Sequence, residues 1–229
     1  MKMANRPAPL SFLSIALSAI LLLCTKPSVA GVLVVDTGAD DWKLVKFIQG
    51  HRERVVLFRS SDTRDPLAIL KDDIDSAEID DLDKGTHTEI DYAAKSYSVS
   101  QYPPEDPTPP PTTIYRRTGR RRKFLGYLCD EYRGVAESAK FGTLIDYLCV
   151  TSEPPGAKEY IEYQRLERSE AVKSGEDSPG NRPAGFVLWQ RDVDDQGAAE
   201  GPDITFIKTM SLPPTVFEPP AGFVKDKDP

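Results

Sequence analysis

The sequence predicts a mainly β (α+β) fold: a curved antiparallel sheet, or half-barrel, with one main helix packed on its concave face. Three observations predict it. Short runs that alternate apolar and polar residues recur between residues 43 and 212. One segment, Ala157 to Val172, places Ala157, Tyr160, Ile161, Tyr163 and Leu166 at three- and four-residue spacing, the signature of an amphipathic helix. Strands and helices do not alternate, so a doubly wound parallel sheet is excluded. A sheet of this many strands has to twist and curl.

The chain opens with Lys2 and Arg6, then an apolar run from Phe12 to Leu23, then the small-x-small site Ser28-Val29-Ala30. This pattern predicts a signal peptide over residues 1–30, with an uncleaved anchor as the alternative. A lipidated Cys24 would need a small residue before it, where Leu23 stands. The 229 residues carry 29 basic and 36 acidic side chains, a net charge of −7. Loss of Lys2, Arg6 and Lys26 with the leader takes it to −10 over the remaining 199 residues. An acidic chain of this kind does not grip nucleic acid, and no second apolar run is long enough to span a bilayer. The expected location is periplasmic or secreted.

Removal of Cys24 leaves Cys129 and Cys149, an even pair in an exported chain, which reads as a disulfide. A hairpin turning at Ala139, within "GVAESAKFG", would set the two opposite each other.

In chain order, Lys43 to Gln49 and Arg54 to Arg59 form a hairpin about Gly50-His51. Leu67 to Leu70 and Ala77 to Leu82 are shorter strand candidates. The acidic run Lys71 to Gly85 reads as a solvated edge with Ile74, Ile79 and Leu82 facing in. Thr86 to Tyr92 and Lys95 to Tyr102 form a second hairpin. Pro103 to Thr113 holds six prolines and reads as a long extended loop. Lys123 to Arg133 and Thr143 to Thr151 are strands carrying the cysteines. Pro154-Pro155-Gly156 precedes the helix. Gly185 to Val193 and Ile204 to Leu212 are the last strands, and Val216, Phe217 and Phe223 pack the tail onto the core. The folded unit is one half-barrel domain over 31–224, with residues 225–229 as a solvated tail.

Motifs for catalysis are scarce. GxSxG, HExxH, a glycine-rich phosphate loop and CxxC do not occur, and His51 and His87 read as turn residues. Asp192, Asp194, Gln196, Gly197 and Asp203 only partly match a calcium loop, because Gln and Asp replace better ligands; a polar hairpin explains them as well. The chain therefore reads as non-enzymatic, without catalytic residues, metal or cofactor. The basic run stands apart: Arg116, Arg117, Arg120, Arg121, Arg122 and Lys123 fill six of eight positions in an acidic chain.

"DLDKGTHTEIDYAAKSYSV", "TGRRRKFLGYLCDEYRG", "VTSEPPGAKEY" and "SLPPTVFEPPAGF" together resemble segments of an uncharacterised family of bacterial exported proteins. That family has a domain of unknown function and is grouped with the lipoprotein-carrier-like half-barrels, LolA, LolB and relatives. The resemblance implies a strongly curved sheet with helices plugging its hollow.

The leading expectation is an exported binding protein that holds a lipid, acyl chain or other apolar ligand between sheet and helix. Phe47, Val56, Phe58, Tyr97, Tyr127, Tyr132, Tyr147, Tyr160, Phe186 and Trp189 are the candidates for its lining or for the core. The alternative is an envelope interaction module that docks an acidic protein partner through the basic strand 116–123. A hydrolase is a third reading, lacking a visible nucleophile and base.

Overall fold

This computed structural model describes residues 31–37, 42–59, 74–102, 112–138, 142–174, 181–194, 197–200 and 203–226. The expected leader 1–30, the strand candidate Leu67 to Leu70 and residues 103–111 of the proline-rich loop lie outside them.

The described chain is mainly β, with one α-helix. Strands β1 (Gly31–Thr37), β2 (Trp42–Gln49), β3 (Arg52–Arg59), β4 (Ile74–Asp81), β5 (Thr86–Asp91) and β6 (Ser96–Gln101) form successive antiparallel neighbours. Next come β7 (Ile114–Phe124), β8 (Tyr127–Ser138) and β9 (Gly142–Thr151), then the helix α1 (Ala157–Ser174). The chain closes with β10 (Phe186–Asp194), β11 (Gly197–Glu200), β12 (Asp203–Met210) and β13 (Val224–Lys225). Eight strands form one sheet in the order β12-β1-β2-β3-β4-β5-β6-β13, and five form another in the order β11-β10-β9-β8-β7. Both are curved and open. Irregular registers at Val35/Asp36, Leu57/Phe58 and Val187/Trp189 mark where strands bend.

Two sheets replace the single one expected. The reason is the free side of β6. The C-terminal strand β13 pairs there in parallel, Val224 with Ser96 and Lys225 with Tyr97, so β7 cannot join and begins a second sheet. The boundary placed at residue 224 therefore falls inside a strand. The acidic run is no edge either, since β4 lies between β3 and β5.

The strand expected from Lys123 to Arg133 is broken by a two-residue hairpin turn. Leu125 and Gly126 have φ of 50° and 85°, the left-handed pair that such a turn needs, and Phe124 pairs with Tyr127. The β8–β9 register is also displaced. Glu131, not Cys129, stands opposite Cys149. Cys129 lies on the same face, one diagonal step away, and the disulfide still forms, with the Cα atoms 5.4 Å apart.

β1 is buried on both faces, with Val32, Leu33, Val34 and Val35 each at most 6% exposed. Leu33 and Val35 join Phe47, Val56, Phe58, Ile79 and Ile90 in a first core. The C-terminal segment covers it with Leu212, Val216 and Phe217. Buried Arg54 ties that segment down, donating from Nη1 to the carbonyl of Val216 (2.9 Å) and from Nη2 to the hydroxyl of Tyr92. Val32, Val34 and Ile48, from the opposite face, meet α1 and the second sheet in a second core around the disulfide. The helix can approach closely because Gly156 precedes it. A Cβ there would stand 2.5 Å from Val32 Cγ2, and its φ of +82° suits glycine. Glu159 in the first turn accepts the N–H of Gly50 at 2.7 Å, fixing the β2–β3 turn to the helix.

The disulfide joins β8 to β9 across 20 residues inside this second core. Exchange of both cysteines for serine is expected to lower stability by about 3 kcal/mol, read as a lower urea midpoint with a somewhat steeper slope, because the unfolded chain is no longer cross-linked.

Candidate functional site

The residues proposed to line one hollow are divided among three clusters. Phe47, Val56 and Phe58 are fully buried in the first core, with Tyr97 at its margin. Tyr160, Phe186 and Trp189 are buried in the second, and Tyr127 and Tyr147 pack against it. Tyr132 belongs to a third, on the outer face of the second sheet, with Tyr115, Leu148 and Val150. Tyr160 and Phe186 stack with centroids 4.2 Å apart, as core side chains do.

The basic run falls on β7, the outermost strand of the second sheet. Its cations do different things. Arg122 turns inward: its Nε and Nη2 bind buried Glu131 at 2.9 and 2.7 Å, and its guanidinium lies 4.5 Å from the Trp189 ring centroid. Arg117 and Arg121 share Asp130 on the outer face, Arg121 through Nε at 3.2 Å. Arg116, Arg120 and Lys123 are exposed and have no ion-pair partner among the described residues. A register irregularity between Arg117 and Arg121, with Gly119 at φ +82°, lets the run bulge. Beside it lies an open cleft of about 250 Å³, bounded by Arg117, Arg121, Asp130, Tyr132, Val150 and Glu153.

The outer side of β7 is a pairing edge. At Tyr115 the side-chain amide of Asn181 accepts the backbone N–H at 2.6 Å and donates to the carbonyl at 2.8 Å. That is the pair of bonds a neighbouring strand would make. Among the described residues no strand continues it.

Sequence reasoning missed a polar layer between α1 and the first sheet. Lys46 reaches Glu53 at 3.3 Å, and Glu53 is 4% exposed. His87, placed in a turn by the sequence, lies buried in β5 with Nδ1 2.6 Å from Asp80. The buried hydroxyl of Tyr163 has no hydrogen-bond partner. Burial, with Glu53 nearby, pushes Glu167 up to about 7. Burial likewise raises Glu53, against the pull of Lys46. The hydrogen bond to Asp80 raises His87. The available signal was alternation: Lys46 and Glu53 occupy positions whose strand neighbours Val34 and Ile48 are core. On the outer face, Tyr115 donates to Asp146 at 2.6 Å, and burial lifts Asp146 to about 6.

A larger open cleft of about 560 Å³ crosses β4–β6 and carries Glu78, Glu89, Asp91 and Asp226 among its walls. Asp192 and Asp194 lie in β10, with Asp192 paired to Ala199 and Asp194 to Gly197 in β11, as the polar-hairpin reading expects; Gln196 lies outside the described residues. No group of three His, Cys, Asp or Glu among the described residues is placed to hold a metal ion. No described helix is long and apolar enough to cross a membrane.

No family model matches the sequence, and no curated protein matches it. An uncharacterised conserved protein from Thermus thermophilus follows a partly similar course over 92% of this chain and 98% of its own, at 10% identity and a TM-score of 0.46.

Proposed function

We propose that this protein is an exported, non-enzymatic interaction module of the cell envelope that docks an acidic partner through β7. The observation that carries this reading is an eleven-residue edge strand bearing three exposed cations without ion-pair partners among the described residues, in a chain of net charge −7. The protein's own carboxylates have neutralised only part of the run. A buried disulfide supports an oxidising compartment. Membership of the lipoprotein-carrier-like group remains part of the proposal through the resemblance alone.

The test is anisotropy of fluorescein-labelled polyglutamate. Wild-type protein is expected to bind, with affinity falling steeply as salt rises. Joint exchange of Arg116, Arg120 and Lys123 for glutamate should abolish binding while leaving the melting curve in place. Equal binding by the variant would end the docking reading.

One observation favours an apolar ligand as a second reading. Among the described residues, the face bearing Phe47, Val56, Phe58 and Ile79 is covered chiefly by a short C-terminal segment. A lipid that co-purifies from the native envelope, found by native mass spectrometry, would support it.

A further inference from the structure

The alternation of β7 shows how an acidic partner would be held. Asn181 bonds both backbone groups of Tyr115, so Tyr115 points its N–H and C=O away from β8. Tyr115 pairs with Gly134, Arg117 with Tyr132, Arg121 with Asp130 and Lys123 with Leu128. These partners are even-numbered throughout, so Arg117, Arg121 and Lys123 also turn their backbone groups outward. Leu128 agrees with this register, because its N–H goes to Glu153 rather than to β7. The ladder that Asn181 begins is open at Arg121 and Lys123 among the described residues.

Resting on the docking reading above, we propose that the partner enters as an extended acidic segment that adds as a sixth strand beside β7, pairing with Arg121 and Lys123. In an antiparallel pair, directly opposed residues project on the same face. Residues opposite Arg121 and Lys123 therefore lie on the outer face, two apart in the incoming segment. The chemistry recognised is acid-x-acid in extended conformation. The neighbouring cleft on that same face is lined by Asp130 and Glu153 as well as Arg117 and Arg121, so the incoming carboxylates stay along the strand edge rather than entering it. Backbone bonds supply the docking, and alternate carboxylates supply the selection.

A second copy of this chain is the wrong occupant. β7 laid against β7 would set the basic run against itself, and like charges directly opposite repel. The bulge after Arg117 limits the open edge to a few residues, which suits a short segment.

The register yields a test that polyglutamate cannot give. An alternating Thr-Glu peptide of about eight residues should bind. Its Glu N–H groups would face Arg121 and Lys123, and its Thr N–H groups would face solvent. N-methylation of every Glu nitrogen is expected to weaken binding about tenfold or more, whereas N-methylation of every Thr nitrogen leaves it within about threefold. Amide hydrogen exchange should slow at Arg121 and Lys123 when the unmethylated peptide is present. If the two methylated peptides behave alike, or bound peptide leaves those two amides unprotected, strand addition is wrong. Polyglutamate binding without Thr-Glu binding would overturn strand addition and spare the docking reading. Failure of both probes would remove the docking reading itself.

Discussion

Replacing Arg122 by alanine is expected to destabilise the protein by about 3–5 kcal/mol, the largest effect of any change in the basic run. Glu131 is 2% exposed and accepts two bonds from Arg122 and one from Thr118, at 3.0 Å. Without the guanidinium, a carboxylate stays in the second core with one hydroxyl for company. Loss of the stacked contact with Trp189 adds to the cost. Urea unfolding measures it. Arg120→Ala, at an exposed position of the same strand, should fall within about 0.5 kcal/mol of wild type. Joint replacement of Arg122 by methionine and Glu131 by leucine should recover most of the loss, because the desolvation of both charges disappears together. A single Arg122 variant as stable as wild type would show that the pair does not anchor β7 to the second core. The functional consequence is that the six cations are not one patch. Five are exposed, and a binding scan that included Arg122 would confuse unfolding with lost recognition.

Those inequalities explain which parts of the molecule could be read in advance. The hairpins over 43–59 and 86–102 were legible because turn residues and alternation agree there. The cysteine pairing was legible from the leader-like N-terminus and the even number left after it, although the register was not. The turn at Leu125-Gly126 was hidden: Leu125 is a poor residue for positive φ, and it sits between apolar neighbours that extend the apparent strand. The division into two sheets was hidden because it depends on where the last few residues return, and Val224-Lys225 beside β6 leaves no local mark. At the candidate site, the basic run announced itself by composition. Its partition into one cation bound to a buried carboxylate, two neutralised and three open depends on Asp130 and Glu131 across the hairpin, which are invisible until the turn is placed. The polar layer under the helix was overlooked for a different reason. A greasy hollow was expected, Lys46 fell on the polar positions of its strand, and Glu53 lay outside the strand expected from Arg54.

That layer sets the second large effect. Lys46→Met is expected to cost about 3 kcal/mol at pH 8 and much less near pH 5. Lys46 is the cation that reaches Glu53, and Glu53 raises Lys46 in return. Glu78 and Asp80 face the same region from β4, Glu167, Tyr160 and Tyr163 from the helix, and Tyr102 from the end of β6. Glu167 has its folded value raised to about 7, above the ordinary glutamate value. A group raised in this way contributes stability that is complete below its unfolded value and lost as pH rises through the folded one. Glu53 shifts in the same direction. His87 does too, since its partner Asp80 favours the charged ring, so its contribution also fades as pH rises. Stability is therefore expected to decline between about pH 5 and pH 8, with Lys46 limiting the decline. Removing Lys46 steepens that slope because more carboxylate charge goes uncompensated. Glu167→Gln flattens it, because the replacement cannot ionise against Glu53. Urea unfolding of the three proteins at both pH values decides the matter. If Lys46→Met costs the same at pH 5 as at pH 8, then these carboxylates do not govern how the helix is held to the first sheet.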